Sequence, residues 1–572
     1  MTYPCLAPRR VCNALVTLLL VLLLPSLASA RARIVVVPAD APGEGFNDPT
    51  PAVPVGRNPG KTLGAQRLLA FQYAADRWGQ MLDSNVTITV LAAFDSLGPN
   101  VLGQAGAWAI YRDFPGAPGF PGAEFSNTWY QSALADKRAG VDLQEYVDPP
   151  ETGPDIFAQF SSDADWYLGL DNNHGALVDL VAVVLHELGH GLGFANFLNE
   201  VTGAIIEGST DIYSHYTLDT TTNSLVSDTS GTDADAAAAR AAAVARVDKV
   251  VWSGRAVSDA VPHVLQFGRP ELNVATPAAL ADTYRVGTAG FGPPISAPGV
   301  SGRVVLVSDG VGVASDACTP LTAVSAAAVS GQIALVDRGT CTFVQKAANV
   351  QAAGAAAMLV ANTLLGDPPP GLAGVDPSIT IVSAMISLEL GTSIKAQLAA
   401  AVEVRVTLGI DPSQRAGADA ADRAQLYATN PVQLGSSISH FDNIAFRNQL
   451  MEPAINSDLT HELIPPYDMT LPLLRDVGWF PDSNLDGTPD VYFGYGRCTT
   501  RVIDTQLPNG AMLSDQARVW YRTCADEAHK PGAFDRCLAK TTTRAVSKGL
   551  LTRAQRNAVD KCGDRLNPWK HK

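Results

Sequence analysis

Three residues with the means to do chemistry stand in one short run, His186-Glu187-Leu188-Gly189-His190. A spacing of four puts the two imidazoles one above the other on a single helical face. Placed that way they can share one zinc ion, with the intervening Glu187 directed at a water bound to it. Zinc lowers the pKa of such a water towards about 7, and Glu187 can take its proton as general base. The chemistry implied is hydrolysis of an amide. A five-residue pattern also arises by chance, so its surroundings have to decide. Here an apolar run over 176–185 precedes it and Gly191 and Gly193 follow as stop signals. Two histidines and a glutamate are also costly to bury on so apolar a helix without a partner.

The elements that must hold these residues follow from periodicity. Residues 33–37 read as a strand, 62–82 as a helix, 86–90 as a strand, and 128–139 as a short helix. A further strand over 155–160 and a loop over 171–175 lead into the helix that carries the motif. This order describes a mixed α/β half whose edge strand can line a cleft and accept an extended peptide by β-augmentation. Asp179 lies seven residues before His186, roughly 10 Å along a helix. It is therefore expected to support the site indirectly rather than to bond His186.

A catalytic zinc usually takes three protein ligands and a water, and the sequence offers three candidates for the third. Asn196 stands where the compact pattern H-E-x-x-H-x-x-G-x-x-H has its last histidine, but an amide oxygen is a poor zinc ligand. Glu207, followed four residues later by Asp211, resembles the thermolysin-like arrangement and needs a helix through Gly203 and Gly208. His440 stands far downstream in Ser439-His440-Phe441-Asp442, ahead of Leu450-Met451-Glu452-Pro453. His174, His215 and His461 read as loop histidines, more often exposed or capping than ligating.

The last combination is informative. His-Glu-x-x-His-x-x-Gly-Phe, a long insertion, a lone histidine and then a Leu-Met-x-Pro turn resembles the leishmanolysin-type branch of the metzincins. The resemblance implies His186, His190 and His440 as zinc ligands, Glu187 as base, and Met451 as the turn beneath the metal. It covers residues 155–196 and 436–480, and the insertion between Phe194 and His440 is much longer than that family usually carries.

Within the insertion the composition changes to regularly placed strands near 304–307, 333–336, 357–360, 379–382 and 402–406, with a helix over 343–353. The block from Gly331 through Asp337-Arg338-Gly339 to Gly354 closely resembles the protease-associated (PA) domain. Such domains pack a helix on a small β-barrel or sandwich, and their loops would bring Cys318 and Cys341 together at one end. Beyond the catalytic part, Asp482, Asn484, Asp486 and Asp490 alternate with a glycine at the sixth place, Gly487. That pattern resembles a calcium loop, here without the twelfth-place glutamate of an EF-hand. Cys498, Cys524, Cys537 and Cys562 lie in helical surroundings and allow three pairings.

Compartment and charge narrow the class. Arg9 and Arg10, an apolar stretch and Ala28-Ser29-Ala30 make residues 1–30 a secretory leader. Its removal takes Cys5 and Cys12 and two arginines, moving the formal charge from −15 to −17. Six cysteines remain, an even number suited to an oxidising compartment. Such a charge disfavours nucleic acid and anionic membranes as partners. It leaves protein or peptide substrates for an extracellular or periplasmic enzyme.

The expected fold class is α+β. A metzincin-like catalytic domain, a mixed sheet plus active-site helix, occupies 31–268 and 411–480. A β-rich PA domain interrupts it over 269–410, a calcium loop spans 481–496, and a small helical Cys-rich module fills 497–572. The expected activity is a secreted zinc-dependent metalloendopeptidase. The alternatives are a thermolysin-like zinc peptidase using Glu207, and a non-catalytic binding protein that kept the scaffold.

Overall fold

The computed structural model describes residues 32–99, 101–146, 153–228, 234–456, 458–480, 492–495 and 498–570. The leader at 1–30 and the calcium candidates Asp482, Asn484, Asp486 and Asp490 lie outside these residues. Strand β1 (Ile34–Pro38) leads into helix α1 (Leu63–Met81), which returns the chain to β2 (Ile88–Asp95). The hydroxyl of Thr62 starts α1 by accepting the amide of Ala65 at 3.2 Å, which satisfies an otherwise orphan donor. Then come β3 (Gly103–Ala107), α2 (Ser132–Ala139), β4 (Ile156–Ser161) and α3 (Leu180–Leu192). The sheet order is β1-β2-β4-β3; the first three strands run parallel, and β3 is antiparallel at the edge.

Alternating burial along β2 turns Ile88, Val90, Ala92 and Phe94 towards one core. There α1 contributes Phe71, Ala74, Ala75 and Trp78, and every residue of α3 is buried. Each fully buried large side chain of this kind contributes about 1.5–3 kcal/mol. Polar handles also lock α3 in place. The indole of Trp78 donates to the carbonyl of Leu185 at 3.0 Å, and that of Trp479 to Leu192 at 2.7 Å.

Two local expectations are corrected. Residues 128–139 are not one helix: Thr128–Gln131 is a strand, and helix begins only at Ser132. The Thr-Trp-Tyr run finds partners in Ile110–Tyr111 and Thr210–Asp211, and such pairing overrides the weak helical propensity of a short segment. The apolar run at 176–185 is likewise not all helix. Val178–Asp179 pairs with Trp166–Tyr167, and the Asp179 carboxylate caps α3 by accepting the amides of Val181 and Ala182.

The insertion forms one mixed eight-stranded sheet rather than the expected barrel or sandwich. Its main strands are β5 (Phe267–Thr276), β6 (Asp282–Arg285), β7 (Val300–Leu306), β8 (Ile333–Asp337), β9 (Ala357–Ala361), β10 (Val382–Ile386) and β11 (Arg405–Arg415). The order is β6-β5-β11-β7-β8-β9-β10, closed by Gly287–Thr288. Ile333 and Leu335 of β8 join one apolar cluster, Ala334 and Val336 another, so both faces are covered and the strand reads as a continuous apolar run. Cys318 and Cys341 form a disulfide at one end.

At the C-terminus stand helices Leu513–Glu527, Pro531–Ser547 and Arg553–Arg565; the disulfide Cys524–Cys537 joins the first two, and Cys498–Cys562 ties the strand Cys498–Ile503 to the third. This unit docks on the C-terminal end of α1. Arg518 donates to the carbonyl of Met81 at 2.7 Å and pairs with Asp83 at 2.9 Å. No described helix is long and apolar enough to cross a membrane.

Candidate metal centre

The helix α3 stacks His186 and His190 as the four-residue spacing requires, and their Nε2 atoms lie 3.1 Å apart. A third imidazole reaches them from beyond the insertion: Nε2 of His440 is 3.3 Å from Nε2 of His186. Ligand atoms of all three lie within 4.8 Å of one another. Tetrahedral zinc with bonds of about 2.0–2.1 Å needs nitrogen pairs at roughly 3.3–3.4 Å, close to these two separations.

The other side of each ring explains why these nitrogens face one another. The Nδ1 of His186 is 2.7 Å from the carbonyl of Leu450, that of His190 is 2.7 Å from Phe194, and that of His440 is 2.9 Å from Ser436. A carbonyl can only accept, so each Nδ1 carries the proton and each Nε2 presents a lone pair. Burial pulls His186 down to about 3, assisted by His190 beside it, and burial pulls His190 down to about 4. Burial, then the charges of His190 and His186, hold His440 well below its ordinary value. Three neutral imidazoles with converging lone pairs repel one another unless a cation sits between them. The donor set therefore fits a zinc ion, and carbonyl partners of this kind fix ligating histidines.

Glu187 is buried, and desolvation alone pushes its carboxyl up to about 8. It stands under the edge strand, where a Cβ added at Gly103 would fall 2.7 Å from its Oε1. Met451 is buried beneath the motif, its sulfur 2.7 Å from where a Cβ on Gly189 would lie. The same turn supplies Leu450, whose carbonyl holds His186 and whose amide is anchored on Asp468 at 2.7 Å.

The other candidates lie elsewhere. Glu207 is 66% exposed and pairs with Arg112 at 3.3 Å; its φ of 48° breaks the helix that a thermolysin-like site needs. Asn196 does not point at the histidines. Its amide donates to Ser439 Oγ at 2.7 Å, tying the end of the motif to the residue before His440. His215 stacks on Phe125 with centroids 4.3 Å apart, and His174 bonds the Leu177 carbonyl. His461, expected exposed, is buried, with its Nε2 3.0 Å from the Asp179 carboxylate that caps α3. The roles of Gly103, Asn196 and His461 carried no signal in spacing, because each depends on a neighbour far away in sequence.

Residues 295–394 match the family model described as PA domain, which places that module within the insertion. No curated protein matches the chain. Among solved structures, an aminopeptidase from Aneurinibacillus sp. strain AM-1 is similar at 22% identity over 26% of this chain and 31% of that one, with a TM-score of 0.20. The zinc aminopeptidase BSAP from Bacillus subtilis is similar at 21% identity over 27% and 36%, with a TM-score of 0.19. The subtilisin-like protease Apa1 from Pseudoalteromonas sp. AS-11 is similar at 15% over 26% and 34%, again with a TM-score of 0.19. The chain spans about a third of the length of these structures. Such scores do not describe the surroundings of the three histidines, which stand on their own geometry.

Proposed function

We propose that this chain is a secreted zinc-dependent metalloendopeptidase of metzincin type, with His186, His190 and His440 as ligands and Glu187 as general base. One observation carries the reading: three buried imidazoles converge through Nε2 while each Nδ1 is held by a carbonyl. A zinc ion there would polarise the scissile carbonyl, lower the pKa of a bound water to about 7 and favour Glu187 as carboxylate. Glu187 would take the water proton and return it to the leaving amine. The buried walls keep bulk water from the base, and the apolar contacts of Met451 hold the floor on which the ligands rest. The antiparallel end strand β3, directly above Glu187, supports binding of an extended substrate alongside it. A strand-like mode engages the middle of a chain rather than an end, which favours internal cleavage. The three disulfides suit an oxidising compartment.

The test is a peptidase assay on the secreted protein, with product termini mapped by mass spectrometry. Internal cuts, abolished by a chelator and restored by zinc, are expected. Glu187→Gln should keep the metal and lose about 10²–10⁴-fold in kcat. Full activity in that variant refutes the base, and release of single terminal residues refutes the endopeptidase reading.

A further inference from the structure

The inserted domain is joined to the third histidine by a buried charge network. The side chain of Arg285, at the end of β6, is only 5% exposed. Its guanidinium pairs with both oxygens of Asp442, the Nη1 bond being 3.0 Å, and it also bonds Asp248 and the Asn443 side chain. Asp442 is fully buried and lies two residues beyond His440. Arg269 of β5 bonds Asp248 as well, without reaching Asp442.

The backbone around this network is shared. The amide of Gln266 donates to the carbonyl of Phe446 at 2.6 Å, and that of Ala416 to Gln266 at 3.0 Å. The chain thus enters and leaves the insertion at one point, against the segment that carries His440. That segment is itself a short ladder: Tyr427 donates to His440 at 2.9 Å, and Asp442 to Gln425 at 2.9 Å. The carboxylate buried at the end of this ladder is gripped at both oxygens by a guanidinium, a bidentate pair that fixes its position. The cation it has comes from the inserted domain.

We propose that Arg285 is a positioning residue for the metal centre: by gripping Asp442 at both oxygens it lets the inserted domain hold the 440–446 segment where His440 meets His186 and His190. This rests on the reading of His440 as third ligand. The insertion is then part of the metal site's support rather than an independent appendage. Lengthening the path between two ligands weakens closure only slowly with loop length, so a clamp at the closing end matters more than the size of the insert.

The test uses the full chain and zinc competed against a chromophoric chelator, with thermal unfolding of the zinc-free protein alongside. Arg285→Met is expected to weaken zinc binding about 10–100-fold, as losing the support of a ligand does. Arg285→Lys, which keeps the charge and folds more readily, is expected to fall between it and the wild type. Arg269→Met removes the neighbouring arginine of the same interface and should leave zinc affinity unchanged. Unchanged affinity in Arg285→Met, or an equal loss in Arg269→Met, overturns the proposal. A wild-type chain that binds no zinc overturns the metal reading itself, and the clamp with it. A chain that binds zinc through this clamp yet cleaves no peptide leaves the positioning role standing and refutes only the peptidase.

Discussion

Gly103 gives the sharpest separation between fold and chemistry. It sits in the edge strand opposite Phe160, in extended backbone that any residue adopts. Alanine there would gain about 0.5–1 kcal/mol from lower unfolded-state freedom, were the space open. The space is taken by Glu187: an added Cβ would lie 2.7 Å from Oε1, 2.8 Å from Cγ and 2.9 Å from Cδ. These are short of ordinary contact by about 0.5–0.7 Å. Because Cγ is involved, rotating the carboxylate does not relieve the clash, and the whole side chain has to shift. Misplacing a catalytic group by about 1 Å costs about 10²-fold. Gly103→Ala should therefore lower kcat about 10- to 100-fold, or about 1.4–2.7 kcal/mol of activation free energy. The imidazoles are untouched, so zinc content should match wild type. An internally quenched peptide gives kcat and KM, mass spectrometry of the protein gives the metal, and a thermal melt checks the fold. Wild-type kcat with full zinc would show that Glu187 is not held under the edge strand during turnover, against the role proposed for it.

Other substitutions probe the ligand set and the buried carboxylates. His440→Ala should bind zinc far more weakly, while Glu207→Ala, at an exposed residue paired only with Arg112, should bind it normally; the reverse in metal analysis would restore the thermolysin-like alternative. Asp136 is pushed up to about 9, chiefly by burial and then by its hydrogen bond to Asp155, from an ordinary value of 3.8. Its proton is bound more tightly in the folded state, so its contribution is complete below about pH 4 and is lost as the pH rises towards about 9. Asp136→Asn should accordingly lose less stability than wild type between about pH 5 and 9, measured by urea unfolding. Parallel pH profiles would refute that assignment.

Some of this was legible in the chain because it is local. A four-residue spacing on a helix fixes which side chains share a face, whatever surrounds it, so His186 and His190 could be paired on sight. The alternating and continuous apolar runs marked most strands of the sheet and of the insertion for the same reason, since their period is set by the backbone. Where a short segment could be either helix or strand, as at Thr128–Gln131, the deciding partners were remote and the reading failed. The third imidazole had no local signal either, and only the resemblance to a metalloprotease pattern pointed to His440. Asn196, Glu207 and His440 follow His190 by 6, 17 and 250 residues, and distance along a chain carries no distance in space. Only the packed structure shows that the carbonyls of Leu450, Phe194 and Ser436 turn three rings inward, and that an arginine from the insertion sits against Asp442. Two of those contacts, His186 with Leu450 and Asp442 with Arg285, join segments that no local rule connects, and they exist only once the core has closed around them.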